Sequence, residues 1–120
     1  MATTAHSDIL GELDRVLRAR RAADPAQSYV ASLYARGLNK VLEKLGEEAV
    51  EVILAARDNE HGGAPEALIS EVADLWFHSL VLLAQQDLSS GAVLECLAQR
   101  FGLSGLEEKA ARERGAGPAG

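Results

Sequence analysis

The stretch from Pro65 to Gln86 constrains this chain more than any other. Leu68, Ile69, Val72, Ala73, Leu75, Trp76, Phe77, Leu80, Val81, Leu82 and Leu83 wrap almost the whole of a helical cylinder at about 100° per residue. A helix apolar on nearly every side has to be covered. Its middle turns nevertheless hold Glu71, Asp74 and His78, spaced i, i+3 and i+7 along one strip. Carboxylates in such surroundings are costly unless a cation meets them, either as basic side chains or as metal.

A second acidic group precedes it, in Lys44-Leu45-Gly46-Glu47-Glu48-Ala49-Val50-Glu51. A helix from about Leu38 to Asp58 gathers Leu38, Val41, Leu42, Leu45, Ala49, Val52, Ile53 and Ala56 into one apolar stripe. Lys44, Glu47, Glu48 and Glu51 fall on the other side. Glu48 lies nearest the stripe's edge and Glu47 farthest from it. Glu48 and Glu51 can therefore reach a neighbouring helix, while Glu47 turns toward open space or a ligand. Taken alone, this group also fits a solvated face with a Lys44–Glu48 pair. Beside the strip of the next helix it supplies further acids rather than bases. Glu48, Glu51, Glu71 and Asp74 facing one another would repel, and a hard divalent ion relieves that. Oxygen ligands alone suit Mg2+ or Mn2+. His78 either meets substrate, orients a carboxylate, or is a satisfied structural histidine. The four-residue step from Asp74 to His78 departs from the Glu-x-x-His of di-iron bundles.

The rest of the chain supports an all-α fold. Aromatics are 4% of the 120 residues, so the side chains that fill strands are scarce. Ser7 or Asp8 caps a first helix to about Arg21, and Ala23-Asp24-Pro25 breaks it. Ser28 to Tyr34 is a short helix ending near Gly37. His61-Gly62-Gly63-Ala64-Pro65 is a loop, and Pro65 suits the first turn after it. Ser89 or Ser90 opens a helix over Ala92 to Arg100, and a last one spans Leu106 to about Arg114. The expected architecture is a helical bundle of about four to five helices completed by homodimerisation, because a chain of this size cannot cover the apolar helix alone. Residues 1–6 are expected as a disordered leader, 7–114 as one domain and 115–120 as a flexible tail.

A net charge of −6 argues against a nucleic-acid partner. The single cysteine, Cys96, forms no internal disulfide, and its apolar run points to a buried thiol in a reducing compartment. No uninterrupted apolar run approaches the roughly 18 residues of a membrane span, and the N-terminus lacks a signal-peptide layout. The expectation is a cytoplasmic protein with no membrane partner.

Glu47-Glu48-x-x-Glu51 followed by Glu71-x-x-Asp74 resembles the paired signature of the all-α nucleoside triphosphate pyrophosphohydrolases, the MazG-like superfamily. Within it, four stretches resemble the phosphoribosyl-ATP pyrophosphohydrolase family. They are Ser28-Tyr29-Val30, Gly37 to Ala56, Ala73-Asp74-Leu75 through His78, and Arg100-Phe101-Gly102 with Ser104 to Lys109. The likeness covers roughly residues 8 to 112. Phe77 departs from it, since that family has tyrosine before the histidine, and position 77 is assigned no chemistry.

The resemblance implies the second step of histidine biosynthesis, in which water cleaves the α–β phosphoanhydride of phosphoribosyl-ATP to give phosphoribosyl-AMP and pyrophosphate. It further implies Mg2+ dependence and a homodimer. On this reading Glu48, Glu51, Glu71 and Asp74 hold the ion, and Glu47 activates water or binds a second ion. Lys40, Lys44, His78, Arg100 and Lys109 are candidates to bind the nucleotide substrate, with Arg112 beside them. A pyrophosphatase for other nucleotides would share the metal site. A non-catalytic helical dimer would leave the Glu71/Asp74 strip unexplained.

Overall fold

The computed structural model describes residues 8–102 of the chain. The described residues form five helices: α1 (Ile9–Arg20), α2 (Tyr29–Arg36), α3 (Leu38–Glu60), α4 (Pro65–Gln85) and α5 (Ser90–Arg100). There is no strand among the described residues. The chain divides into two compact units at Ser89, with α1 to α4 in the first and α5 in the second. The expected leader 1–6, the helix Leu106 to Arg114 and the tail 115–120 lie outside the described residues.

Local chemistry sets the boundaries. Ser28 caps α2 by accepting a hydrogen bond from the Ala31 amide at 3.2 Å, satisfying one of the free donors of the first turn. Gly37, at φ +92°, closes α2 and opens α3 with no residue between them. A side chain would make that backbone conformation costly. Pro65 starts α4, where its missing N–H is no loss. α3 runs two residues past the expected Asp58, to Glu60, and α5 begins at Ser90 rather than Ala92. Both are end effects, which sequence patterns locate least well.

The core of the first unit lies where all four of its helices meet. Leu17 of α1, Leu33 of α2, Val41 of α3 and Val81 of α4 are fully buried, with Val30, Leu80 and Ala84 around them. Each such side chain contributes about 1.5–3 kcal/mol by leaving water. Tyr34 donates its hydroxyl to the Val81 carbonyl at 3.1 Å, tying α2 to α4. Arg21, just past α1, donates to the Ala84 carbonyl at 3.1 Å and pairs with Asp87 beyond the end of α4.

α3 and α4 form an antiparallel hairpin about the short loop 61–64. Only the first part of α3 and the last part of α4 reach the core: Val41 on one, and His78, Leu80, Val81 and Ala84 on the other. The rest of the hairpin extends past it. The apolar wrap of α4 is therefore not covered among the described residues of this unit. Ile69 is 68% exposed and Trp76 61% exposed, and Val50 and Ile53 of α3 are likewise exposed. By length and composition α4 could cross a membrane. The charges of Glu71 and Asp74 midway along it would be expensive in hydrocarbon, and its last turns are core in this fold.

Cys96 departs from expectation. It is exposed on α5, as are Val93, Leu94 and Leu97 of the apolar run that suggested burial.

Candidate active site

The antiparallel register of the hairpin brings the two acidic signatures together. Glu48 of α3 and Glu71 and Asp74 of α4 each place a carboxylate oxygen within 4.8 Å of the others. Glu48 and Glu71 are half-buried and Asp74 is exposed. Glu51 stands beside Glu71, near enough to act on its charge. Glu48 and Glu71 owe their position to the edge of the helix–helix contact, where an apolar stripe gives way to polar residues.

The cluster is short of positive charge. Glu71 is pushed above the ordinary glutamate range, first by loss of water around it and then by repulsion from Asp74, Glu51 and Glu48. Three oxygen donors converging from two rigid helices, with mutual repulsion, are the donor set a hard divalent cation takes. The residues present thus fit such an ion.

A groove of about 690 Å³ runs along this face, lined by Lys44, Glu47, Glu48, Glu51, Glu71 and Asp74 among others. Lys44 donates to Glu47 at 3.0 Å, so its partner is Glu47 and not the Glu48 of the solvated-face alternative. Both positions lie within reach of a lysine on a helix, three and four residues on, and the outward Glu47 is the one met. The Lys44 ammonium is held above its ordinary value by that hydrogen bond and then by the neighbouring Tyr29 hydroxyl. Glu47 is exposed, as its wheel position implies.

The other candidates separate. Lys40 donates to Glu43 at 2.8 Å and does not line the groove. His78 is buried and fully engaged. Its Nδ1–H donates to the Asp74 carbonyl at 2.8 Å, and its Nε2 accepts from the Tyr29 hydroxyl at 3.1 Å. Phe77 meets its ring edge-on at 5.3 Å and reaches the core. Arg100 ends α5 in the other unit, and Lys109 and Arg112 lie outside the described residues.

Tyr29 had no role assigned from sequence. It joins α2 to the helix of the acidic strip and borders Lys44 of the groove wall. Helical periodicity could not have found it, because its partner is 49 residues away. A second groove, at the loop end of the hairpin around Asp58 and His61, was also unforeseen, since that segment reads only as a turn.

Known proteins resemble the chain over most of its length. Residues 10–101 match the family model described as phosphoribosyl-ATP pyrophosphohydrolase. The phosphoribosyl-ATP pyrophosphatase of Hydrogenovibrio crunogenus is 54% identical over 108 residues, which are 90% of this chain and 96% of that protein. That of Burkholderia cenocepacia is 54% identical over 112 residues, 93% of each chain, and that of Burkholderia multivorans matches to the same extent. With the paired acidic signature, the hairpin that joins its halves and a match across most of its length, the chain belongs to the phosphoribosyl-ATP pyrophosphohydrolase family.

Proposed function

We propose that Glu48, Glu51, Glu71 and Asp74 hold a divalent cation, Mg2+ or Mn2+, with which this enzyme hydrolyses phosphoribosyl-ATP to phosphoribosyl-AMP and pyrophosphate, the second step of histidine biosynthesis. The observation that carries this is the convergence of Glu48, Glu71 and Asp74 within 4.8 Å in a member of that family. When bound, the cation would neutralise charge on the phosphate oxygens.

The chain's own groups supply the rest. Lys44, kept cationic by its surroundings, is placed to meet a phosphate. A phosphate that takes the Lys44 ammonium releases Glu47 from its 3.0 Å pair. The freed carboxylate can accept a proton from water attacking phosphorus as the α–β bridge breaks, and pyrophosphate leaves. His78 supports the cluster through its hydrogen bond to the Asp74 carbonyl.

The working unit is a homodimer. Ile69, Ala73 and Trp76 lie on one face of α4 at i, i+4 and i+7 and are all exposed in a single chain, as are Val50 and Ile53 on α3. A second copy would remove that apolar surface from water. The net charge of −6 suits a small metal-complexed nucleotide better than a nucleic acid or a membrane surface, and the setting proposed is the cytoplasm.

The test is a product assay with phosphoribosyl-ATP, ATP and a panel of deoxynucleotides in the presence of Mg2+. Pyrophosphate released from phosphoribosyl-ATP far faster than from the others is the expected result. Faster cleavage of deoxynucleotides would assign the chain to a different substrate.

A further inference from the structure

We propose that the groove at the loop end of the α3–α4 hairpin is the nucleoside subsite of this active site, with Asp58 and His61 as its polar contacts. The inference rests on the cation site proposed above.

The groove has a volume of about 660 Å³ and shares Glu51 and Glu71 with the groove of the acidic cluster. A single elongated ligand can therefore occupy both. The two ends differ in chemistry. One holds the Lys44 ammonium, suited to phosphate. Among the described residues the lining of the other includes no lysine or arginine, so a phosphate there would face Asp58 without compensation from them. Leu54, 53% exposed, and Ala67 give it an apolar wall. A flat, uncharged base fits such a wall.

The polar groups at this end accept hydrogen bonds. Among the described residues the Asp58 carboxylate takes part in no ion pair or side-chain hydrogen bond. His61 lies within 2.9 Å of the Arg57 carbonyl through Nδ1. A carbonyl only accepts, so Nδ1 carries the hydrogen, and Nε2 of the neutral ring is left as an acceptor. Ribose hydroxyls and an exocyclic amine are the matching donors, and carboxylates commonly receive ribose hydroxyls.

The turn holds these acceptors in place. The Gly63 and His61 amides both donate to the Asp58 carbonyl, at 2.7 and 3.1 Å. A Cβ at Gly63 would stand 2.7 Å from that oxygen, so the close approach requires glycine. Along the hairpin the order is then Asp58 and His61, Glu51 with Glu71, Glu48 with Asp74, and Lys44. This is the order of base and sugar, inner phosphates and outer phosphate in a nucleoside triphosphate.

Calorimetry in Mn2+ tests this with two probes: α,β-methylene-ATP, whose bridge resists water, and inorganic tripolyphosphate, which lacks the nucleoside. Wild type is expected to bind the nucleotide at least about tenfold more tightly than tripolyphosphate. Asp58→Ala and His61→Ala should each lower that preference several-fold, and the double variant should bring it close to unity, with tripolyphosphate affinity unchanged. An unchanged preference in the variants, or a wild type that binds both probes equally, overturns the subsite. Equal loss of both probes in the variants overturns it too, since Asp58 and His61 would then act through the fold or the cation site. A wild type that binds neither probe overturns the cation site itself and the subsite with it.

Discussion

The Tyr29 hydroxyl reaches Nε2 of His78 across 3.1 Å, joining the start of α2 to the middle of α4. His78 passes the connection on through Nδ1–H to the carbonyl of Asp74, a residue of the acidic cluster. Tyr29→Phe removes one end of this chain and leaves a buried ring nitrogen without its donor. Tyr29 is itself half exposed, so water can partly replace it, and the expected loss is about 1 kcal/mol of unfolding free energy. Urea denaturation monitored by circular dichroism measures it. A loss indistinguishable from zero would mean that the bond contributes nothing to holding α4.

Asp74→Asn should abolish turnover while leaving the helical fold intact. Without metal the variant should be at least as stable as wild type, because one of the repelling carboxylates is gone. Steady-state assays and thermal melts in chelator check the two halves separately. Near wild-type turnover with an unchanged Mg2+ response would remove Asp74 from the site.

The raised Glu71 fixes the sign of a pH effect. The folded chain keeps a proton on Glu71 at pH values where the unfolded chain has lost it, so the folded state binds more protons there. Stability of the metal-free protein should then fall as pH rises from the ordinary glutamate value of 4.5 through the raised one, and level off above it. Glu43, held low by its hydrogen bond to Lys40, acts in the opposite sense, but both its members are substantially exposed and its contribution is small. Melting temperature against pH, with Glu71→Gln as the control, isolates the effect. The stabilisation given by Mn2+ should grow over the same interval. A Glu71→Gln variant with the wild-type profile would show that Glu71 is not the source.

If the proposed dimer forms through α4, Trp76→Ser should convert it to monomer at micromolar concentration, read by light scattering. Wild type is expected at twice the chain mass. A monomeric wild type would leave Ile69 and Trp76 as an apolar face serving some purpose other than self-association.

Much of this was legible in the chain because the informative spacings are helical. Glu71 and Asp74 at i, i+3 had to share a face, and the edge position of Glu48 follows from a wheel. Two consecutive amphipathic helices with a short glycine loop leave few arrangements other than a hairpin. Other features depend on residues distant in sequence. Tyr29 meeting His78 is one. The exposure of Cys96 is another: an apolar run signals burial only if another surface covers it, and within its unit α5 leaves Val93, Leu94 and Leu97 in the open. The choice of Glu47 over Glu48 by Lys44 turns on side-chain reach that residue type alone does not decide.

The pinned turn at Gly63 has a further consequence for the residues between Glu51 and Glu71. None of them belongs to the acidic signature, yet together they act as a ruler. Each helical residue advances the chain about 1.5 Å and turns it about 100°. Adding or removing one residue on only one arm would slide and rotate that arm's carboxylates away from those opposite, however faithfully both signatures were kept. The spacing between the two halves is therefore as much a part of the site as the acids themselves. It is written in the length of a segment that carries none of those acids.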